Sequence, residues 1–191
     1  MDFHSILVST GIVTLAEMGD KTQLLAFLLA AKYKKPVPII LGILFATILN
    51  HGLAGMLGLW ITQILSPEIL RWVLGFSFIA MAMWTLVPDK IDDEASFGVK
   101  SGVFLTSLVT FFLAEMGDKT QVATIAMAAH YPSPVLVVIG TTLGMMIADV
   151  PAVFLGNSFA KKLPLKLIHA IAAGMFFVMG VLVLLKIDQL F

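Results

Sequence analysis

Two stretches of the chain carry charge where none is expected. Leu-Ala-Glu-Met-Gly-Asp-Lys-Thr-Gln occurs at Leu15 to Gln23 and again at Leu113 to Gln121, each inside a segment otherwise apolar enough to cross a membrane. A charged side chain at the bilayer centre costs roughly 2.5 to 3.5 kcal/mol, and ionisable groups at that depth mark sites of ion or proton handling. Glu17, Asp20, Glu115 and Asp118 are therefore the candidate ligands of a metal ion. Carboxylate oxygens are hard donors that suit Mg²⁺, Ca²⁺ or Mn²⁺, and Thr22, Gln23, Thr120 and Gln121 add neutral oxygens beside them.

On a continuous helix, residues three and four apart share a face, so Glu17, Asp20 and Lys21 are expected together, as are Glu115, Asp118 and Lys119. Four carboxylates and two lysines leave a net charge of minus two. One divalent cation would neutralise it. Two protons would do the same, because carboxylates in a low dielectric take up protons readily. Exchange of a divalent cation for protons follows as the expected chemistry. The alternative is structural, with Glu17–Lys21 and Glu115–Lys119 as simple ion pairs one turn apart. Such pairs have no need of the second acid, the glycine and the threonine, all repeated identically. Gly19 and Gly117 disfavour helix and permit local unwinding that frees backbone carbonyls.

Helix two and helix five supply further polar groups at depth. Asn50, His51 and Asp149 form a candidate proton relay, or a support for the carboxylates, with His51 and Asp149 expected to face each other. A plain His–Asp hydrogen bond between helices is the alternative. Pro151 removes the donor that would meet the carbonyl of Ile147, which predicts a kink there.

The elements that must position these residues are read from composition. The 191 residues are 59% hydrophobic and 13% charged, with a mean hydropathy of +1.00. An all-α membrane protein is expected, with spans near 5–31, 37–64, 69–87, 102–129, 135–159 and 165–185. The net charge of zero and scattered lysines offer no surface for nucleic acid. The absence of cysteine excludes disulfides, thiolate metal sites and cysteine nucleophiles. Asp2 and His4 precede the first apolar run in place of Lys or Arg, unlike a cleavable leader.

A shift of 98 residues superimposes the two motifs and, without a gap, Ala30, Tyr33, Pro36 and Gly42 on Ala128, Tyr131, Pro134 and Gly140. The chain is an internal duplication. One membrane domain over residues 1–191 is expected, with repeat one at 1–88, a linker at 89–100 and repeat two at 101–191. Three crossings per copy force the second copy to enter the membrane upside down, so the six helices form two inverted three-helix repeats. Lys32, Lys34, Lys35, Lys90, Lys100, Lys161, Lys162 and Lys166 fall in alternate loops, against Arg71 and Lys186 on the other side. Those lysine-bearing loops are expected in the cytoplasm, with both termini outside. Inverted repeats with interrupted helices are the usual build of secondary transporters. The small-residue stripes Gly42 to Gly58 and Gly140 to Gly156 allow close helix packing.

An intramembrane hydrolase is a remote alternative. Gly75-Phe76-Ser77 could supply a nucleophile and His169 a base, but Phe78 stands where that motif needs glycine. A zinc hydrolase fails because none of the four histidines has ligand spacing. A membrane subunit without transport is a further remote alternative. The acidic run Asp89 to Glu94 reads as solvated linker.

The doubled Glu-x-Gly-Asp-Lys-Thr motif, on the first helix of each repeat, resembles the signature of uncharacterised protein family sixteen. That family includes bacterial manganese exporters of the MneA type and transmembrane manganese and calcium transporters of the Golgi and thylakoid. The resemblance spans nearly the whole chain. It implies a secondary transporter that exports a divalent cation, manganese first and calcium as the alternative, in exchange for protons and without a resident cofactor. It places the metal role on Glu17, Asp20, Glu115 and Asp118, the basic position on Lys21 and Lys119, and the hydroxyl on Thr22 and Thr120. Organellar relatives carry added targeting segments, so the expected location is the bacterial cytoplasmic membrane.

Overall fold

The computed structural model describes residues 3–87, 102–155 and 165–186. All regular structure there is helical: α1 (Phe3–Glu17), α2 (Lys21–Tyr33), α3 (Pro36–Ile64), α4 (Pro67–Thr85), α5 (Val103–Glu115), α6 (Lys119–His130), α7 (Pro134–Leu155) and α8 (Leu165–Leu184). Four helices, α3, α4, α7 and α8, are long and apolar enough to cross a membrane. The acidic run Asp89 to Glu94 and the lysines at 90, 100, 161 and 162 lie outside the described residues.

The first and fourth expected spans are not continuous helices. Each is cut at its motif into two short helices, α1 with α2 and α5 with α6. The break follows from local chemistry. Gly19 and Gly117 take φ of 84° and 78°, a left-handed conformation that glycine adopts without strain. Asp20 then caps α2, its carboxylate accepting from the backbone N–H of Lys21 at 2.6 Å, and Asp118 occupies the equivalent place before α6. Prolines at the first turns of α3 and α4 start those helices where a missing N–H costs nothing.

Packing follows the internal duplication. The 98-residue shift carries α1 onto α5, α2 onto α6, α3 onto α7 and α4 onto α8. Helix α1 lies along α7, and α5 lies along α3 in the same way. The small-residue stripes bring both pairs of helices close. A Cβ added at Gly140 would strike Ser9 Oγ and the Ile6 carbonyl, and one added at Gly42 would strike Ser107 and the Phe104 carbonyl. Ser9 and Ser107, and Ile6 and Phe104, are themselves equivalent positions. Helices α4 and α8 cross with Gly75 against the Gly180 carbonyl, and the equivalent rings Phe78 and Phe176 stack at 6.5 Å, both fully buried.

The crowding at Gly140 sets a stability expectation. Gly140→Ala must push α1 from α7 at a cost of roughly 1 to 3 kcal/mol, whereas Gly52→Ala and Gly174→Ala meet no atom within 4 Å. Thermal unfolding of the purified protein should therefore show a lowered midpoint for Gly140→Ala and an unchanged one for the other two.

Candidate functional site

Both breaks meet in the interior. Glu17 ends α1, Glu115 ends α5 and Asp118 opens α6, and each offers a carboxylate oxygen lying within 4.8 Å of the other two. All three residues are buried. One oxygen of each glutamate is held by its own repeat: Thr22 Oγ1 donates to Glu17 Oε2 at 2.9 Å, and Thr120 Oγ1 donates to Glu115 Oε2 at 3.2 Å. The other oxygens, Glu17 Oε1, Glu115 Oε1 and Asp118 Oδ2, are buried and meet no donor among the described residues. Buried acceptors are rarely left so. Oxygens on opposite sides of one Ca²⁺-sized ion, at about 2.3 to 2.6 Å each, stand about 4.6 to 5.2 Å apart, so the three acids are within reach of a single hard cation.

The lysines do not pair as one continuous helix would pair them. Because each helix stops at its glutamate and restarts at its lysine, Lys21 and Lys119 reach across to the other copy. Lys21 Nζ lies 3.4 Å from Asp118 Oδ1, and Lys119 Nζ lies 3.6 Å from Asp20 Oδ2. The expected grouping of Glu17, Asp20 and Lys21 on one helical face is thereby replaced by a crossed arrangement. Asp20 is buried beside Lys119 and stands outside the three-oxygen group. With each aspartate matched to a lysine, Glu17 and Glu115 are the two acids of the motifs left without a lysine partner.

The glutamines hold the breaks open. Gln23 Oε1 accepts from the Gly19 N–H at 3.0 Å, and Gln121 Oε1 accepts from the Gly117 N–H at 2.7 Å. Their amide ends reach the long helices: Gln23 Nε2 donates to the Ala148 carbonyl at 2.8 Å, and Gln121 Nε2 donates to Asn50 Oδ1 at 3.3 Å. Asn50 Nδ2 in turn donates to the Phe112 carbonyl at 3.0 Å. Asn50 and Ala148 are equivalent positions, so a side-chain amide on one helix replaces a backbone carbonyl on the other. The carbonyl that takes up a side chain next to Pro151 is thus that of Ala148, one residue beyond the Ile147 carbonyl that the sequence pointed to.

His51 and Asp149 are both fully buried, yet neither imidazole nitrogen and neither carboxylate oxygen has a hydrogen-bond partner among the described residues. The alternative of a plain His–Asp hydrogen bond is therefore not made among the described residues. Asp149 lies instead within electrostatic range of Glu17 and Glu115.

The hydrolase reading loses its parts. Ser77 donates to the Leu74 carbonyl at 2.8 Å, and His169 Nε2 bonds the Met18 carbonyl at 2.7 Å, at the break between α1 and α2. Sequence reasoning missed that bond, although His169 aligns under the 98-residue shift with Arg71, one of the two basic residues on the sparsely charged side.

The chain is similar to known proteins along most of its length. Residues 5–93 and 103–189 match the family model described as divalent cation/proton antiporter GDT1. The chain is 50% identical to a Vibrio cholerae protein named "Putative manganese exporter", over 92% of this chain and 88% of that one. It is 26% identical to GDT1-like protein 3 of Oryza sativa subsp. indica, over 91% of this chain and 71% of the relative. It is 26% identical to GDT1-like protein 5 of Arabidopsis thaliana, over 89% of this chain and 90% of the relative. No solved structure matches it. The chain, with helices suited to a membrane and one match in each half, belongs to the GDT1 family of divalent cation/proton antiporters.

Proposed function

We propose that this protein exports Mn²⁺ from the cytoplasm in exchange for protons, binding the ion between its two motifs. The observation that carries the reading is the convergence of three buried carboxylates, donated by both halves, each of which also keeps one oxygen without a protein donor among the described residues. Glu17, Glu115 and Asp118 supply anionic ligands, with Asp20 beside them on Lys119 as the fourth acid of the two motifs, while Lys21 and Lys119 hold the aspartates in place. The pair of charges left on the two glutamates is neutralised by one divalent ion or by two protons, which makes the two cargoes alternatives at one place. The name carried by the Vibrio relative favours manganese. An all-oxygen ligand set also accepts Ca²⁺, so calcium/proton exchange is the second reading.

The membrane arrangement belongs to the same proposal. Each broken pair, α1 with α2 and α5 with α6, makes one crossing, giving six in two inverted repeats. The lysine-rich ends, with Lys32, Lys34 and Lys35 after α2, face the cytoplasm of a bacterial cell and the termini face out. Breaks at mid-depth are tolerated because their backbone lines the site rather than lipid. His51 and Asp149 serve as proton carriers beside the metal ligands, since both are buried groups with nothing else to bond among the described residues.

Reconstitution in liposomes tests the reading. Mn²⁺ uptake should require an imposed pH gradient and stop when a protonophore collapses it; uptake indifferent to the gradient would refute proton coupling, and uptake of Ca²⁺ in preference would select the second reading. Glu17→Gln, Glu115→Gln and Asp118→Asn should each weaken Mn²⁺ binding by at least about tenfold, as removal of a charged ligand must cost no less than loss of its supporting hydrogen bonds. Glu17→Asp, which keeps the charge and shortens the reach, should also lose affinity; equilibrium Mn²⁺ titration distinguishes this from a merely structural ion pair, which the swap would preserve. Asp149→Asn should retain Mn²⁺ binding but lose the response of uptake to the pH gradient, measured in the same vesicles.

A further inference from the structure

The 98-residue symmetry is obeyed by one part of the molecule and broken by another. Packing among α1, α2, α3, α5, α6 and α7 comes in matched pairs: α1 with α7 and α5 with α3, α3 with α6 and α7 with α2, α2 with α5 and α6 with α1. Helices α4 and α8 do not follow. Helix α8 lies on α1 and α4 lies on α6, whereas the symmetric packing, α4 on α5 and α8 on α2, is not made to any comparable extent among the described residues. Helices α1 and α6 share one end of the molecule, where His4 and Tyr131 stand with ring centres 6.2 Å apart. The α4–α8 pair therefore covers one end of the broken helices and leaves the other uncovered.

Side chains report the same bias. Phe78 on α4 meets His130 at the end of α6 edge to face at 6.2 Å, while Lys32, the equivalent of His130 at the end of α2, is exposed. The Lys119 side chain, at the covered end, is 1% exposed, and that of its counterpart Lys21 is 28% exposed. The apolar crevice between α1 and α8 stops at Ile12, and buried Ala16 lies between it and Glu17. At the breaks, His169 on α8 donates to the Met18 carbonyl, but Arg71, its equivalent on α4, is not on the Met116 carbonyl. Arg71 caps α8 instead, donating to the Leu184 carbonyl at 2.8 Å, and Met116 is 54% exposed.

Within a tight crossing, Gly75 against Gly180 and Phe78 on Phe176, α4 and α8 are bound more closely to each other than to the rest. A duplicated chain that adopts an asymmetric arrangement has an exchanged counterpart within reach, because the main contacts given up in one repeat have counterparts in the other, as the His169–Met18 contact has in Arg71 and Met116. We propose that α4 and α8 move as one gate between the two ends of the broken helices, latched here by His169 on the Met18 carbonyl and latched in the opposite arrangement by Arg71 on the Met116 carbonyl. His169 and Arg71 are positioning residues, acting on the breaks and not on the ion. The present arrangement leaves the site, its three acids still buried, less covered toward the end that bears Lys32, Lys34 and Lys35. Exchange of the gate also exchanges the aspartates, so that Asp20 joins Glu17 and Glu115 as Asp118 leaves. The inference rests on the transport reading for its purpose, though not for its geometry.

The natural chain has no cysteine, which makes cross-linking a direct test. Bridged by a short bis-methanethiosulfonate reagent, Gly11→Cys with Met175→Cys reports the arrangement seen, where a Cβ at Gly11 would lie 3.9 Å from the terminal methyl of Met175. Ser77→Cys with Val109→Cys occupies the equivalent positions and reports the exchanged arrangement. In full-length protein in liposomes, both pairs should cross-link, each should arrest Mn²⁺ uptake, and reduction should restore it. Added to either pair, His169→Ala should shift the population toward the Ser77–Val109 link by about fivefold, as expected for loss of one hydrogen bond, and His169→Gln, which keeps a donor, should shift it less. Protein that transports Mn²⁺ while Ser77→Cys with Val109→Cys never cross-links at any Mn²⁺ concentration or pH would overturn the gate, as would His169→Ala leaving the ratio unchanged. Exchange of the two links in protein that moves no Mn²⁺ would uphold the gate and refute the transport reading.

Discussion

Charge in a medium of low dielectric must be matched, and the matching chosen here dictates the rest of the structure. Each repeat contributes two acids and one lysine, so neither repeat can neutralise itself. The lysines reach across, Lys21 to Asp118 and Lys119 to Asp20, and in doing so bind the two copies to each other at their breaks. The two glutamates are left without a lysine, and Glu17 Oε1 and Glu115 Oε1 meet no protein donor among the described residues. Burial of an unmatched pair of charges is costly for stability, a cost that the proposed binding of a divalent cation or of protons would relieve.

Breaking the helix is what makes the crossed pairing reachable. A continuous helix would place Lys21 one turn from Glu17, closing the ion pair within the repeat. The left-handed glycine stops α1 at Glu17, turns the chain, and lets Asp20 cap the next helix. Thr22 then folds back onto Glu17, and Gln23 satisfies the Gly19 amide while tethering the break to α7. Every residue of the repeated motif from Glu17 to Gln23, Met18 included through its carbonyl, thus has an assigned partner or turn in the first copy. The second copy repeats the pattern in Thr120 and Gln121 but departs from it where Asn50 stands in for a backbone carbonyl, where Asp118 makes no capping hydrogen bond, and where Arg71 bonds Leu184 and not Met116.

Much of this is legible in the residues alone. The doubled motif, the 98-residue period and the length of the apolar runs lead to the helical class, the two matched halves and the choice of acids. The stripe from Gly42 to Gly58 announces close packing, and a Cβ at Gly42 does collide with the Phe104 carbonyl. The geometry inside the motif is not legible in the same way. Periodicity assigns a helix across residues 5–31 because the apolar pattern continues on both sides of one glycine, and the pattern cannot say that Gly19 adopts a positive φ. The expected pairing of the lysines within each repeat fails for the same reason. A hydrogen bond between His51 and Asp149 suggests itself because they are equivalent positions, but equivalence under a two-fold relation does not by itself supply bonding geometry. The equivalent rings Phe78 and Phe176 do meet, and nothing in their residue types singles them out beforehand. The asymmetry of α4 and α8 is not legible from the duplication, which supplies related contacts for both arrangements, and the residues that differ, His169 against Arg71 and His130 against Lys32, do not announce their partners.

The central claim is that oxygens from both halves share one divalent ion. Diffraction from crystals grown with Mn²⁺, recorded at the manganese absorption edge, tests it most directly. The expected result is an anomalous peak between Glu17, Glu115 and Asp118, at about 2.0 to 2.6 Å from an oxygen of each, the range for hard cations on carboxylates. A peak elsewhere in the protein, with those three carboxylates bonded only to protein groups, would contradict it.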